Sequence, residues 1–224
     1  MSRVFKIRVL NQILSSIKKR GLISTFFAIS YELLFTLRYG VQTKHIVPAK
    51  QLDMPIDIKE HSSNCSPTRY YILKQIFGSV NIPYTESVFI DFGCGLGRVL
   101  MFVSQFPFKK IIGIECSQRL AEICRENLTR HYEKKNKKLP AFQIIQCDAG
   151  NYEIPVDANV FYFFHPFDDY VIRRVVDNIL KSVNKRKRTL TVIYDNPIYE
   201  NEFLGAGFHL LHKVDGEYSI LALG

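Results

Sequence analysis

The sequence predicts an α/β protein: a mainly parallel, doubly wound sheet of seven strands, closed by an antiparallel hairpin near its C-terminal end and preceded by a helical N-terminal extension. Three observations carry that prediction. The apolar run Val88-Phe89-Ile90-Asp91-Phe92 leads into Gly93-Cys94-Gly95-Leu96-Gly97, and an amphipathic run starts at Arg98, the pattern of a buried strand turning tightly into a helix. Strand-length apolar runs then alternate with longer stretches of helical spacing as far as Asp195, which implies parallel strands joined by crossover helices. Finally, Asp215-Gly216 separates two alternating apolar runs, a strong hairpin signal.

Taken in order, residues 1–66 form a basic helical extension and a connecting loop. Arg3, Lys6, Arg8, Lys18, Lys19 and Arg20 all precede the first acid, Glu32, while Leu22, Ile23, Phe26, Phe27, Ile29, Leu33, Leu34 and Leu37 recur near helical spacing. The apolar stretch is too short and, with Glu32 inside it, too polar to span a bilayer. Three readings of this arm stand open: a helix packed on the rest of the chain, a basic amphipathic helix in peripheral contact with a membrane surface, or an organellar transit peptide. No secretory pattern is present. Residues 41–67, with Pro48, Pro55, Pro67 and the polar run Lys59-Glu60-His61-Ser62-Ser63-Asn64, read as a connecting loop, so the α/β domain is expected at 67–224. Thr68 is the expected cap of a helix reaching about Gly78.

Strands are then expected at 88–91, 111–115, 142–147, 160–164 and 189–195, with helices at 98–105, 118–134 and 168–183. The interval 148–159 is too short for a standard crossover helix, so an irregular connection is expected. The hairpin takes 208–214 and 217–223.

The chain has 224 residues, 47% of them hydrophobic, enough for one α/β domain with a full core. Its five cysteines, Cys65, Cys94, Cys116, Cys124 and Cys147, include no CxxC pair; neither a disulfide framework nor a metal site is expected, and a reducing, cytoplasmic location is. Cys94, Cys116 and Cys147 close the first three strands, where packing is the favoured role. The formal charge of +9 raises the question of nucleic acid. The densest basic runs, Lys109-Lys110, 134–138 and 185–188, fall where helices return to strands, on the face opposite the carboxyl ends where ligands bind, so nucleic acid is not favoured.

The glycine spacing separates cofactors. A dinucleotide fingerprint counted from Gly93 needs a small residue where Arg98 stands, and counted from Gly95 one where Leu100 stands; both registers fail. What is present is acidic-x-Gly-x-Gly-x-Gly, from Asp91 to Gly97. At this point the chain resembles the class I S-adenosylmethionine-dependent methyltransferases, whose first motif has that form. The resemblance implies that Asp91 faces the amino-acid end of S-adenosylmethionine while Gly93, Gly95 and Gly97 give the backbone room. Glu115 ends an apolar run about 20 residues past the glycines, where a doubly wound fold places the acceptor of ribose hydroxyls. Asp148, after the third strand, is by resemblance the contact to the adenine amino group, and by local chemistry equally a turn or cap residue.

The segment Phe164-His165-Pro166-Phe167 ends the fourth strand, where the resemblance places the target-atom loop. Some small bacterial members carry Asn-Pro-Phe here; this chain has His165 in place of the asparagine. An imidazole accepts one hydrogen bond where an amide and a carbonyl accept two, and its pKa near neutrality suits a base. His165 and Phe167 are therefore the candidate catalytic residues, one as base and one as a wall or stacking surface for the acceptor. Asp195 and Asn196, at the end of the fifth strand, are secondary candidates for the acceptor side, and Thr68 and Tyr70 for covering the cofactor. The expected activity is methyl transfer to an N or O nucleophile of an unidentified small-molecule or protein acceptor. Protein-lysine methylation is the first alternative; an NAD-dependent oxidoreductase and an inactive cofactor-binding scaffold are the others.

Overall fold

The computed structural model describes residues 14, 17–18, 21–39, 43, 47–134 and 142–224. Arg3, Lys6, Arg8, Lys19, Arg20 and most of the basic run at 134–138 lie outside these residues. The order of elements is α1 (Leu22–Tyr39), α2 (Ile56–Glu60), α3 (Tyr70–Ser79), β1 (Val88–Phe92), α4 (Arg98–Val103), β2 (Lys110–Glu115), α5 (Gln118–Lys134), β3 (Phe142–Gln146), β4 (Ala158–Phe164), α6 (Asp169–Lys185), β5 (Leu190–Asp195), α7 (Glu200–Gly205), β6 (His209–Val214) and β7 (Tyr218–Leu223).

The seven strands form one sheet in the order β3-β2-β1-β4-β5-β7-β6. The first five are parallel, and β7 inserts antiparallel between β5 and β6. Strand order reverses between β1 and β4, so the crossovers on either side leave a crevice at their carboxyl ends. Both faces of β1 are buried, which is why it reads as a continuous apolar run rather than an alternating one. Phe89, Tyr162 and Ile193 pack on one face against α3, α4 and the inner side of α1; Ile90, Phe92, Phe163 and Val192 pack on the other against α6.

The predicted class and topology hold, with local corrections. Thr68 caps nothing: α3 starts at Tyr70 after Arg69, without a side-chain cap, and buried Thr68 points its hydroxyl at Tyr162, 3.4 Å away. The expected loop at 41–67 contains a 3-10 turn, Ala49–Gln51, and the short helix α2. Helix α7 falls where no helix was expected, being too short at Glu200–Gly205 to show periodicity. Glu217 belongs to the hairpin turn, its N–H donating to Val214 O at 3.0 Å around Gly216 at φ 71°. The 148–159 connection is irregular as expected, with one 3-10 turn at Ala149–Asn151.

Helix α1 packs on the same core. Phe35 and Tyr39 are buried among Tyr70 and Phe102. Glu32 faces inward and accepts from Arg98 Nη2 at 2.6 Å. Arg98, itself 4% exposed, also donates to Thr43 Oγ1 at 3.2 Å and lies 4.0 Å over the Phe35 ring.

Candidate functional site

One cleft opens at the carboxyl ends of β1, β2, β3 and β4. Asp91, Gly93, Gly95, Glu115, Asp148 and Phe167 all line it. The glycine turn forms its floor: Gly93, Gly95 and Gly97 have φ of 76°, 51° and 83°, backbone that L side chains rarely adopt. At Gly95 a Cβ would lie 2.8 Å from Cys65 Sγ, so the space freed by the missing side chain is taken by a neighbouring protein group. Gly97, which begins α4, abuts Cys124 in the same way.

Asp91 is 2% exposed, and its Oδ2 has no hydrogen-bond partner among the described residues. Burial first, and the Glu115 carboxylate second, hold its pKa well above the ordinary carboxylate range. Glu115 is differently placed. Its Oε2 accepts from Gly95 N at 2.9 Å and its Oε1 from Ser117 N at 3.0 Å, which ties the end of β2 to the glycine turn. Burial raises its pKa against the pull of those N–H groups. Asp148 caps the 3-10 turn through Gly150 N at 3.0 Å and pairs with Arg174 at 3.3 Å, while still facing the cleft. Cys94, Cys116 and Cys147 also line the cleft, Cys94 being buried with its side chain against Gly113.

The roof comes from residues read in the sequence as a connecting loop. Leu52, Met54, Ile58 and residues 62–67 line the cleft. Within the strap Val47 pairs with Cys65, and Ser62 pairs it to Phe167. Ser63 N donates to Pro166 O at 3.1 Å, Asp168 N to His61 O at 2.9 Å, and His61 Nδ1 meets Asp168 Oδ2 at 2.5 Å. Asp53 reaches across to the start of α5, accepting from Ser117 Oγ and Arg119 N.

His165 sits beside the main cleft rather than in it. It lines an adjoining polar pocket with Ser62, Ser63, Asn64, Ser66 and Asn196. His165 and Asn196 are the non-glycine residues with positive φ, at 38° and 54°, among those described, and they follow the paired strand ends Phe164 and Asp195. Such strain persists where the surrounding structure enforces it, often at functional sites. His165 Nδ1 is buried with no hydrogen-bond partner among the described residues, and burial lowers the imidazole pKa. Phe167 and Pro166 line the main cleft beneath the strap. Asp195 lies one layer below, accepting from Tyr162 OH at 3.2 Å, its pKa pushed up to about 7 by burial. Tyr162 and Thr68 both line the cleft; Tyr70 is buried in the core.

Sequence reasoning missed the strap, Tyr162 and Arg98 as cleft-lining residues. Tyr162 gives no signal within an apolar strand. Arg98 has one: Glu32 is the only acid ahead of Asp53, and a lone acid in an apolar helix needs a cationic partner if that face is buried.

The family model described as histone methylation protein DOT1 matches residues 64–146. No curated protein matches the sequence. Among solved structures, the mitomycin 7-O-methyltransferase MmcR is similar at a TM-score of 0.50 and 19% identity, over 69% of this chain and 54% of that one. A S-adenosylmethionine-dependent methyltransferase structure from Methanococcus maripaludis gives 0.49 and 16%, over 67% of this chain and 82% of the other. One from Aquifex aeolicus gives 0.49 and 13%, over 67% and 87%. The fold likeness rests on the first of these, of whose length this chain spans little more than half.

Proposed function

We propose that the chain is a class I S-adenosylmethionine-dependent methyltransferase that holds its cofactor in the cleft between β1 and β4. The methyl group passes to an N or O nucleophile entering through the polar pocket beside His165 and Asn196. One observation carries this reading: Asp91, Glu115 and Asp148 meet on one cleft floored by the glycine turn, and a buried Asp91 oxygen lacks a partner. An unpaired buried carboxylate is costly, and an ammonium placed against it removes that cost. This fits the amino-acid end of S-adenosylmethionine.

When bound, the cofactor supplies a sulfonium methyl whose leaving group needs no protonation. The chain's own residues then have three tasks. Glu115, fixed by two backbone N–H groups, offers its remaining lone pairs to ribose hydroxyls, and Asp148 offers the same to the adenine amino group. The strap closes over the cleft and excludes water, while Phe167 walls the acceptor so that nucleophile, methyl and sulfur align. His165, kept neutral by burial, takes the proton from an acceptor that arrives as an ammonium or a hydroxyl.

Lysine methylation is the second reading, favoured by the DOT1 match. That match spans 64–146 and stops short of β4 and the His165 turn, so it bears on the cofactor half rather than the acceptor half.

Calorimetry with S-adenosylmethionine and with NAD tests the cofactor, and transfer of labelled methyl groups in a cell extract tests the activity. Binding of S-adenosylmethionine alone, with label appearing in a small molecule or protein, is the expected result. Preference for NAD would overturn the cofactor assignment. Tight cofactor binding with no labelled product would leave a scaffold that is not an enzyme.

A further inference from the structure

Helix α1 is built inside out. Its one acid, Glu32, and its aromatic residues Phe35 and Tyr39 face the protein. Its outer side is apolar: Ile23, Phe26, Phe27, Leu33, Leu34 and Leu37 are exposed, from 53% at Leu34 to 75% at Ile23. They are spaced three, four or seven residues apart, in two groups (23, 26, 27 and 33, 34, 37) on the same side of the helix with Ser30 between them, so they form one apolar side spanning positions 23–37 of the 18-residue helix. A surface helix ordinarily shows water its polar side; a contiguous apolar stripe of this size marks an interaction surface.

Charge selects the partner. Lys18 and Arg38 are exposed at the two ends of the stripe, and Lys74 lies beside it, its ammonium 5.3 Å from the Tyr31 ring. The sequence before Glu32 carries six basic residues, Arg3, Lys6, Arg8, Lys18, Lys19 and Arg20, and no acid. A second copy docking stripe to stripe would bring the exposed cations at the two ends of each stripe, Lys18 and Arg38, together with those of its partner, which is unfavourable. A surface that is apolar at depth and anionic at its rim complements both features. No helix among the described residues is long and apolar enough to cross a membrane, so the stripe lies in the interface rather than spanning it.

We propose that the outer face of α1 docks this protein on an anionic lipid bilayer, with Phe26, Phe27 and the leucines among the acyl chains and the basic flanks against the headgroups. This does not depend on the methyl-transfer reading. Arg98 links the two regions: its guanidinium packs on Phe35 and bonds Glu32, and it lines the cofactor cleft.

Co-sedimentation with vesicles tests this directly, using equal parts phosphatidylcholine and phosphatidylglycerol, with pure phosphatidylcholine for comparison. The full chain is expected to pellet with the anionic vesicles, to bind neutral ones less, and to release at high salt. The double variant Phe26→Ser/Leu33→Ser changes only exposed positions, so its circular dichroism and melting should match the parent while vesicle partitioning falls about tenfold or more. A wild-type chain that stays in the supernatant with anionic vesicles overturns the proposal. So does a folded double variant that binds as well as the parent. A dimer, seen by sedimentation equilibrium without lipid and dissociated by the same double substitution, would assign the stripe to a second copy and overturn it too.

Discussion

A carboxylate buried with an unpartnered oxygen, as Asp91 is, costs the fold free energy unless it takes up a proton or meets a cation. Asp91→Asn is nearly the same shape and removes the charge. It is therefore expected to leave the free protein as stable as before, or more stable, while weakening S-adenosylmethionine. A hydrogen bond to a charged group contributes about 1.5–3 kcal/mol, which corresponds to a roughly 10- to 150-fold rise in Kd. Calorimetry and urea unfolding of the same variant check both halves; a loss of stability with unchanged affinity would make Asp91 a structural residue. At His165 the burial that lowers its pKa also sets a pH signature. kcat/KM should rise with pH through a value below the ordinary imidazole pKa near 6.5, because only the neutral ring accepts a proton. His165→Ala should lower kcat about a hundredfold or more and abolish that acidic limb. Methyl transfer at full rate in this variant, with the limb intact, would exclude His165 as the base.

At the scale of elements, the decisive joint is between α1 and the start of α4. Arg98 has a side chain only 5% exposed, paired with a Glu32 side chain that is 36% exposed. Removing one partner of a fully buried pair costs roughly 3–5 kcal/mol; with Glu32 partly solvated, Glu32→Ala is expected to cost about 1–3 kcal/mol. Arg98→Met removes the buried charge itself, keeps an apolar stem against Phe35, and lets Glu32 turn to water. It should cost less, and urea midpoints at constant m-value will rank the two. The reverse ranking would mean that the guanidinium stabilises α1 mainly by packing and its bond to Thr43. This joint also marks where the sequence stops being legible. Strands buried on both faces announce themselves as apolar runs, so β1, β2, β4 and β5 and the glycine turn could be read from the sequence alone, and the half-exposed edge strand β3 by its apolar positions between helix-length stretches. The strap could not: it is closed on itself by the Val47–Cys65 pairing and held to the cleft by the Ser62–Phe167 pairing and by His61 and Asp53 contacts far along the chain, and neither backbone pairing nor such distant partners leave a trace in residue type. Thr68 misled for a related reason. A threonine before a helix suits a cap, but here its hydroxyl is directed to Tyr162, some ninety positions along the chain and brought close only by the sheet.

For the whole molecule, the buried acids make stability and ligand binding depend jointly on pH. Asp91, Glu115 and Asp195 all have pKa values raised in the fold, so the fold favours their neutral forms. For an acid raised in this way, the favourable contribution is complete below the unfolded pKa and is lost as pH rises through the folded one. For Asp195 that window runs from the unfolded value of 3.8 to about 7, and the free protein should lose stability across it; Asp195→Asn should flatten that part of the urea-unfolding profile. A cation bound against Asp91 lowers the Asp91 pKa again, so ligand binding releases a proton and recovers part of what the rise in pH removes. The thermal shift given by saturating S-adenosylhomocysteine should therefore grow as the pH rises, below the range where the ligand's own amino group titrates. 5′-Methylthioadenosine keeps the nucleoside and lacks the ammonium, so its shift should be smaller and flat over the same range. Equal pH slopes for the two ligands would place the amino-acid end away from Asp91, and the cleft would have to be read with the cofactor in another orientation.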